Sequence, residues 1–578
     1  MWHLRLTAGM YCVLEERRMS NKKLFQRILY AVLFVVIGWF ILTFIIMPVV
    51  GVIREIFFAE GDFSIDVIRK LAESDRVVTS LKNTYVMAVC TVITVTIIGI
   101  FQILVTEYLD VKGSKILDAI FHTPLLYGGV SLVTGYNYIY SSHGFVTKAL
   151  MEIFPNMDPA WFTGFTGILF VHSFSMTMYH ILFVKTAFKR IDYSTIEACR
   201  SLGGSNLQAF FKVALPVVKP SLFSATVLLV LMALNSFAAP SILGGKDYYM
   251  INSMILNLNS IGSRDLAALL AFILAFTCIV LLLVMKWFER KNNFLSVSKV
   301  PTKLRKVKVR NPILNVVIHI LAYVLALIYA LPIAGIVLFS FADIQTIIDQ
   351  TFPTHFTIEN YVRVFSESTA LKPLLNSVKL SLVAVAIVLV ICVASALAIH
   401  KHKNKATLIL ELTLLIPWML PSTMLAVGMI SQYSVPNKLV FNLVLLGGFW
   451  LLPIAYAVTS IPQAMRLIKA SLYNVDTSHE EAARSLGAGP IYTLIRVIVP
   501  AMLPTTVSVG AITFNTLLSE YSVSALLYSA NTVPLGIILR SPNLNPDPYS
   551  AASQLVYIVV LMVISGITLG LTQKYRNY

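Results

Sequence analysis

Runs without Asp, Glu, Lys or Arg dominate the chain, and polar residues gather between them. Twelve such stretches lie near residues 29–53, 83–106, 119–141, 159–184, 220–242, 266–285, 313–341, 380–399, 412–433, 439–465, 499–519 and 551–573. About 20 apolar residues cross the hydrocarbon of a bilayer. The pattern therefore predicts an all-α integral membrane protein with about twelve transmembrane helices. The third, ninth and eleventh stretches contain Pro or Gly, which spans tolerate where neighbours satisfy the freed backbone groups.

The polar interruptions repeat. Glu197–Ser205 reads "EACRSLGGS" and Glu481–Gly489 reads "EAARSLGAG". At that offset of 284, Asp192 meets Asp476, Ser194 meets Ser478, and Arg200-Ser201-Leu202-Gly203 meets Arg484-Ser485-Leu486-Gly487. Pro216 and Pro220 meet Pro500 and Pro504, while Asn83 and Pro124 meet Asn376 and Pro417 at an offset of 293. Matches this dense indicate an internal duplication. Each copy takes six spans, with the polar phrase between the fourth and fifth. The expected organisation is an amino-terminal tail (1–28), a first six-helix domain (29–285), a basic linker (286–312) and a second six-helix domain (313–578). Six is even, so the two copies are parallel repeats.

Ser194–Glu197 and Ser478–Glu481 both fit the Ser-x-x-Glu capping box, in which Ser accepts from a backbone N–H and Glu reaches back. Gly203 and Gly487 would end the short helix, since glycine takes positive φ without penalty. A second helical piece would follow, with Pro216 and Pro500 punctuating entry to the next span. Capping alone explains Ser and Glu. The small residues after Glu and the glycine six positions on suggest a loop shaped to enter a partner's groove.

Composition sharpens the picture. The chain is 57% hydrophobic and 13% charged, with net charge +17. With both termini cytoplasmic and twelve crossings, 32 of the 45 Lys and Arg fall on the cytoplasmic side, against 12 of 28 acids. That is the positive-inside pattern, a better account of the charge than a nucleic-acid surface. It puts both polar phrases in the cytoplasm and the basic linker at an anionic lipid surface. None of Cys12, Cys90, Cys199, Cys278 and Cys392 falls outside, so no structural disulfide is expected. No apolar core for a signal peptide precedes the first stretch, and Met19 offers a second start, which would make 1–18 an upstream extension.

No G-x-x-x-x-G-K-[ST] phosphate loop occurs, so nucleotide binding is not expected of this chain. Zinc-like spacings and nucleophile–base groupings are missing too, which counts against a membrane-bound enzyme. An ion-coupled secondary carrier would place acid or His relays inside its spans. His122, His172, His180 and His319 lie within or near spans and read better as hydrogen-bonded packing residues.

Glu-Ala-Ala, three residues, Gly and then a hydrophobic-Pro pair resembles the "EAA" loop of the permeases of binding-protein-dependent ABC importers. The first copy departs with Cys199 for the second Ala. The resemblance covers nearly the whole chain, as two fused type I permease domains in a bacterial inner membrane. It implies that Glu197, Ala198, Gly203 and Pro216, with Glu481, Ala482, Gly487 and Pro500, belong to docking loops for two copies of a cytoplasmic ABC ATPase. ATP would be used by that partner, with no cofactor bound here. An extracytoplasmic substrate-binding protein would deliver the ligand.

In the fifth span of each half, Asn235 and Ser236 align with Ser519 and Glu520, and Phe237 with Tyr521. Polar groups at one depth in both halves are candidates for the translocation pathway; helix–helix hydrogen bonding is the plainer reading. "SFAAPSILGG" and "SEYSVSALLYS" resemble fused ferric-iron permeases most, and also phosphonate and polyamine permeases; thiamine permeases are fused pairs as well. "YNYIYSSH" (136–143) reads as an aromatic belt at the outer interface.

Overall fold

The computed structural model describes residues 32, 34–58, 63–189, 191–245, 247–291, 306–309, 311–401, 404–473, 481–483, 485–541 and 549–576. The amino-terminal tail with Met19 and Cys12, most of the linker, and Ser478 with its expected cap lie outside these residues. Among the described residues, ten helices are long and apolar enough to cross a membrane. In chain order they are span 1 (Phe34–Phe57), 2 (Asp75–Tyr108), 4 (Gly164–Phe188), 5 (Phe210–Leu243), 6 (Arg264–Phe288), 7 (Pro312–Ser340), 8 (Ser368–Lys401), 10 (Leu451–Leu472), 11 (Arg496–Leu518) and 12 (Ser550–Thr568). Two bent pairs complete a set of twelve: Ser114–Leu125 with Gly129–Ile153 at 115° (span 3), and Lys405–Met419 with Ser422–Tyr433 at 104° (span 9).

The bends have local causes. In span 9, Leu420 is extended (φ −108°, ψ 140°) ahead of Pro421, the conformation that a following proline favours. In span 3, Pro124 sits in a 3-10 turn and Gly129 holds φ 59°. The eleventh stretch carries Pro504 but stays one helix. Span 10 corrects the expected 439–465. Residues 439–450 are apolar, yet the Asn437 side chain caps a 3-10 turn at Lys438–Val440, and Phe441 and Asn442 both take φ 59°, which stops a helix there.

The duplication extends to single hydrogen bonds. The Asn83 amide donates to the Tyr249 carbonyl at 3.0 Å, and the Asn376 amide to the Val533 carbonyl at 3.1 Å. Thr84 Oγ1 accepts from the Ile251 N–H at 2.8 Å, and Ser377 Oγ from the Leu535 N–H at 2.7 Å. Each half thus clips the start of its second span to the segment that follows its fifth.

The first span of each sequence half packs on the other half. Span 1 lies along Ser422–Tyr433. Ser431 Oγ donates to Glu55 at 2.9 Å, Trp39 Nε1 to the Leu439 carbonyl at 2.9 Å, and the Tyr433 hydroxyl to the Thr43 carbonyl. A Cβ on Gly428 would stand 2.1 Å from the Pro48 carbonyl oxygen, so close packing here requires a residue without a side chain, as small-residue interfaces in membranes do. Span 7 answers on span 3, where a Cβ on Gly135 would stand 2.4 Å from Ile336 Cδ1. Beyond span 7, Asp343 caps Ile344–Asp349, accepting from Thr346 Oγ1 at 2.6 Å and from its N–H at 3.0 Å. The Thr346 bonds hold that carboxyl below its usual range. The capped helix presents the Ile347 carbonyl to the Tyr138 hydroxyl at 3.0 Å.

One expectation changes. Tyr136 and Tyr140 form no lipid-facing belt: they are buried, stacked on each other, and ringed by Phe162, Phe170 and Trp161. Span 7 crossing at this point turns what would be an outer girdle into core. The described end of the linker contacts the first half. Val307 bridges Leu109, exchanging backbone bonds of 3.0 and 2.8 Å with Asp110 and Tyr108.

Candidate functional site

The first repeated loop is a helix, Tyr193–Ser201, between spans 4 and 5. Its cap is not Ser194. Asp192 is the N-cap residue, its carboxylate accepting from the Ser194 N–H at 3.1 Å, and Thr195 Oγ1 donates back to the Asp192 carbonyl at 2.7 Å. Asp takes this position because its fixed charge suits the positive end of the helix. Ser194 and Glu197 are left exposed on the loop surface. The duplicated Asp192–Asp476 match was the signal; Asp476 itself lies outside the described residues.

The glycines behave as their positions require. Gly203 holds φ 87° and Gly487 φ 81°. Around Gly203 the Gly204 N–H bonds the Cys199 carbonyl and the Gly203 N–H the Arg200 carbonyl, both at 3.0 Å. That is a Schellman turn, which satisfies carbonyls at a helix end through one left-handed residue. The second copy makes the matching Ala488 N–H to Ala483 carbonyl bond at 3.0 Å. Glu197, Ala198, Glu481 and Ala482 are exposed. Just before each glycine stands a bare leucine, Leu202 at 89% exposure and Leu486 at 88%. Composition gave no warning of these, because a leucine ordinarily reads as core.

Pro216 and Pro500 do not separate a second helix from the next span. Each follows a five-residue π-turn (Phe210–Ala214, Leu494–Ile498) within a helix that runs on into span 5 or 11. A proline leaves the carbonyl four residues back without its donor, and the wider turn absorbs that. Beside the first loop, a cavity of 650 Å³ opens between Glu197, Arg200 and Gly203 on one side and Asn311 and Leu314 on the other.

The four pathway candidates occupy two helix breaks. One helix ends at Leu234 and the next starts at Ala238; the other ends at Leu518 and resumes at Ser524. The breaks meet, with the Phe237 and Tyr521 rings 5.1 Å apart. Ser236 Oγ bonds His172 Nε2 at 2.8 Å, and His172 Nδ1 bonds Thr91 at 3.1 Å. The Asn235 amide donates to the Leu231 carbonyl at 2.8 Å. Glu520 folds back as a cap, accepting from the Val523 and Ser524 N–H groups at 2.9 and 3.1 Å and from Ser524 Oγ at 2.9 Å. Ser519 closes the preceding helix. The other three histidines within or near spans are bonded as well: His180 to Thr96 at 3.3 Å, His122 to the Asp118 carbonyl at 2.6 Å, and His319 to the Asn315 carbonyl at 2.8 Å.

Residues 123–293 and 390–576 match the family described as "Binding-protein-dependent transport system inner membrane component". A "Probable ABC transporter permease protein y4fN" of Sinorhizobium fredii is 40% identical over 95% of this chain and 96% of its own length. The "Ferric transport system permease protein FbpB" of Actinobacillus pleuropneumoniae is 21% identical over 91% of this chain and 75% of its own. A "Putative 2-aminoethylphosphonate transport system permease protein PhnU" of Salmonella typhi is 24% identical over 34% of this chain and 69% of its own. With its duplicated loops and its multi-pass helical bundle, the chain belongs to the binding-protein-dependent family of inner-membrane transport components, as a two-domain permease of an ABC importer.

Proposed function

We propose that the chain forms the complete translocation pathway of its importer and that the substrate is ferric iron. Both termini and both repeated loops face the cytoplasm, where each loop receives one copy of a separate ABC ATPase. That partner binds and hydrolyses ATP; this chain binds no cofactor. A loaded binding protein docks on the opposite face. ATP-driven closure of the ATPases draws the loops together, and the Phe237–Tyr521 contact between the halves parts as access switches.

One observation carries the reading: two copies of the same Schellman turn, each presenting a fully exposed leucine. A single exposed leucine is ordinary on a protein surface; what supports docking is the same leucine standing beside the same turn in both loops. For the substrate, support comes from the ferric permease relative, whose similarity spans nearly the whole chain. The 2-aminoethylphosphonate relative supports the rival reading over a third of it.

The test is uptake of labelled ferric iron by cells lacking this chain, complemented with the wild type. Loss on deletion and recovery on complementation are expected. Unchanged uptake, with no redundant route, would sink iron and bring 2-aminoethylphosphonate forward as the next probe.

A further inference from the structure

Each half ties the helix that leads into its repeated loop to the bent span beside it. In the second half the Lys469 ammonium, on span 10, meets the Glu411 carboxylate on Lys405–Leu414. In the first half Lys185, at the end of span 4, meets Asp118 on Ser114–Phe121 and also Glu107 at 3.0 Å. These contacts are copies of one another. Lys185 and Lys469 stand at the same interval ahead of Glu197 and Glu481, and Asp118 falls on Glu411 at the offset that pairs Pro124 with Pro417. In both halves the cation is on the loop-bearing helix and an acid on the bent span, with Glu107 at the end of span 2 as the first half's extra partner. Both pairs are largely shielded, with the Lys185 side chain 9% exposed and that of Lys469 26%. Reversing one charge of such a shielded pair sets like charges against each other, which costs more than losing a surface pair.

The other side of each loop is built to yield. The chain leaves through the π-turns Phe210–Ala214 and Leu494–Ile498, and such turns interrupt the regular ladder and recur at functional sites. The first half has a π-turn on its entering side too, Ile181–Lys185, and there the lysine takes two carboxylates. The bent spans in turn touch the helix breaks. A Cβ on Gly129 would stand 3.6 Å from the Ser519 carbonyl oxygen. Thr423 donates to Asn252 at 2.8 Å, and the Asn252 amide holds the Ser236 carbonyl at 3.2 Å.

We infer that the duplicated Lys–carboxylate pairs, Lys185 with Asp118 and Glu107 and Lys469 with Glu411, are positioning struts that make each repeated loop and its bent span move as one body, so that displacement of the loop reaches the helix breaks. This rests on the proposed docking of an ATPase at the loops. Such a chain of contacts earns the word coupling only by experiment.

The experiment uses the tagged full chain as wild type, Lys469→Glu, Glu411→Lys and the double exchange, purified from the host with its co-purifying ATPase into lipid nanodiscs. In a cysteine-free background, spin labels at Leu408 and Leu467, both exposed, report the distance across the strut with and without ATP and vanadate. In wild type and double exchange the distance holds; in each single variant it widens on ATP. In cells, radiolabelled ferric citrate uptake falls about tenfold in the single variants, the scale of a typical coupling energy, and recovers in the double exchange, while ATPase retention stays unchanged. Single variants that keep both distance and uptake, or a double exchange that restores neither, would overturn the strut. A wild type that retains no ATPase would instead sink the docking reading. A wild type that carries no ferric citrate would sink the substrate alone, with the label distances still deciding the strut.

Discussion

At Gly203 and Gly487 nothing lies within 4 Å of where a Cβ would stand. A side chain there meets no neighbour, so the cost of Gly487→Val is backbone strain, about 1–2 kcal/mol for a left-handed residue. The variant should insert normally but hold its ATPase less well in a detergent pull-down, and Gly203→Val should move the same way. Full retention would count against docking. Leu486→Ala separates the two effects. An exposed side chain away from any buried feature changes stability by about 0.5 kcal/mol at most, so the melting temperature should stand while the pull-down weakens. The glycines were legible because the duplication fixed them and only one residue type takes that φ cheaply. The exposed leucines were not, since exposure is a property of the folded surface. The cap was misassigned because Ser-x-x-Glu fits two residues inside the true cap, where Asp192 reaches the Ser194 N–H first.

At the scale of elements, lipid made the spans readable, because a helix crossing it has to be apolar for about 20 residues. Residues 439–450 show the limit of that signal. They are apolar but not helical, and the positive φ at Phe441 and Asn442 comes from a turn that hydropathy does not register. The paired Asn clips were half visible: Asn83 and Asn376 matched in sequence, but their carbonyl partners lie more than 150 positions away. Asn376→Ala should lower stability by about 0.5–1.5 kcal/mol, the net worth of one such bond, read as a lower melting temperature in detergent. Asn83→Ala should add to it independently, since distant sites combine additively. An unshifted melting curve would mean that the clip contributes nothing. The pathway candidates divide at this scale too. Glu520 is committed to capping a helix, whereas Ser236 joins a His172–Thr91 chain that no spacing in the sequence announced.

For the whole molecule, sequence order and spatial order part company. The duplication predicted two tandem bundles, and the structure exchanges their first spans, which periodicity cannot foresee because every span is apolar on more than one face. A chain divided within 292–305 should therefore still associate. Co-expressed pieces, each carrying a span that packs on the other, are expected to co-purify in mild detergent. Recovery of either piece alone would show that the exchange contributes little to holding the halves together.

The same exchange sets a schedule for biogenesis. Thr43 receives its bond from Tyr433, 390 residues downstream. At a synthesis rate of about 5–20 residues per second, span 1 waits roughly 20–80 s for the surface it finally rests on. During that interval Gly51 and its neighbours face lipid or the insertion machinery, and span 7 takes its own place on span 3 first. Span 6 already covers Val52 and Ile56 by then, so a ribosome that stalls before residue 422 leaves the first helix made with one face dressed and its Gly51 face bare.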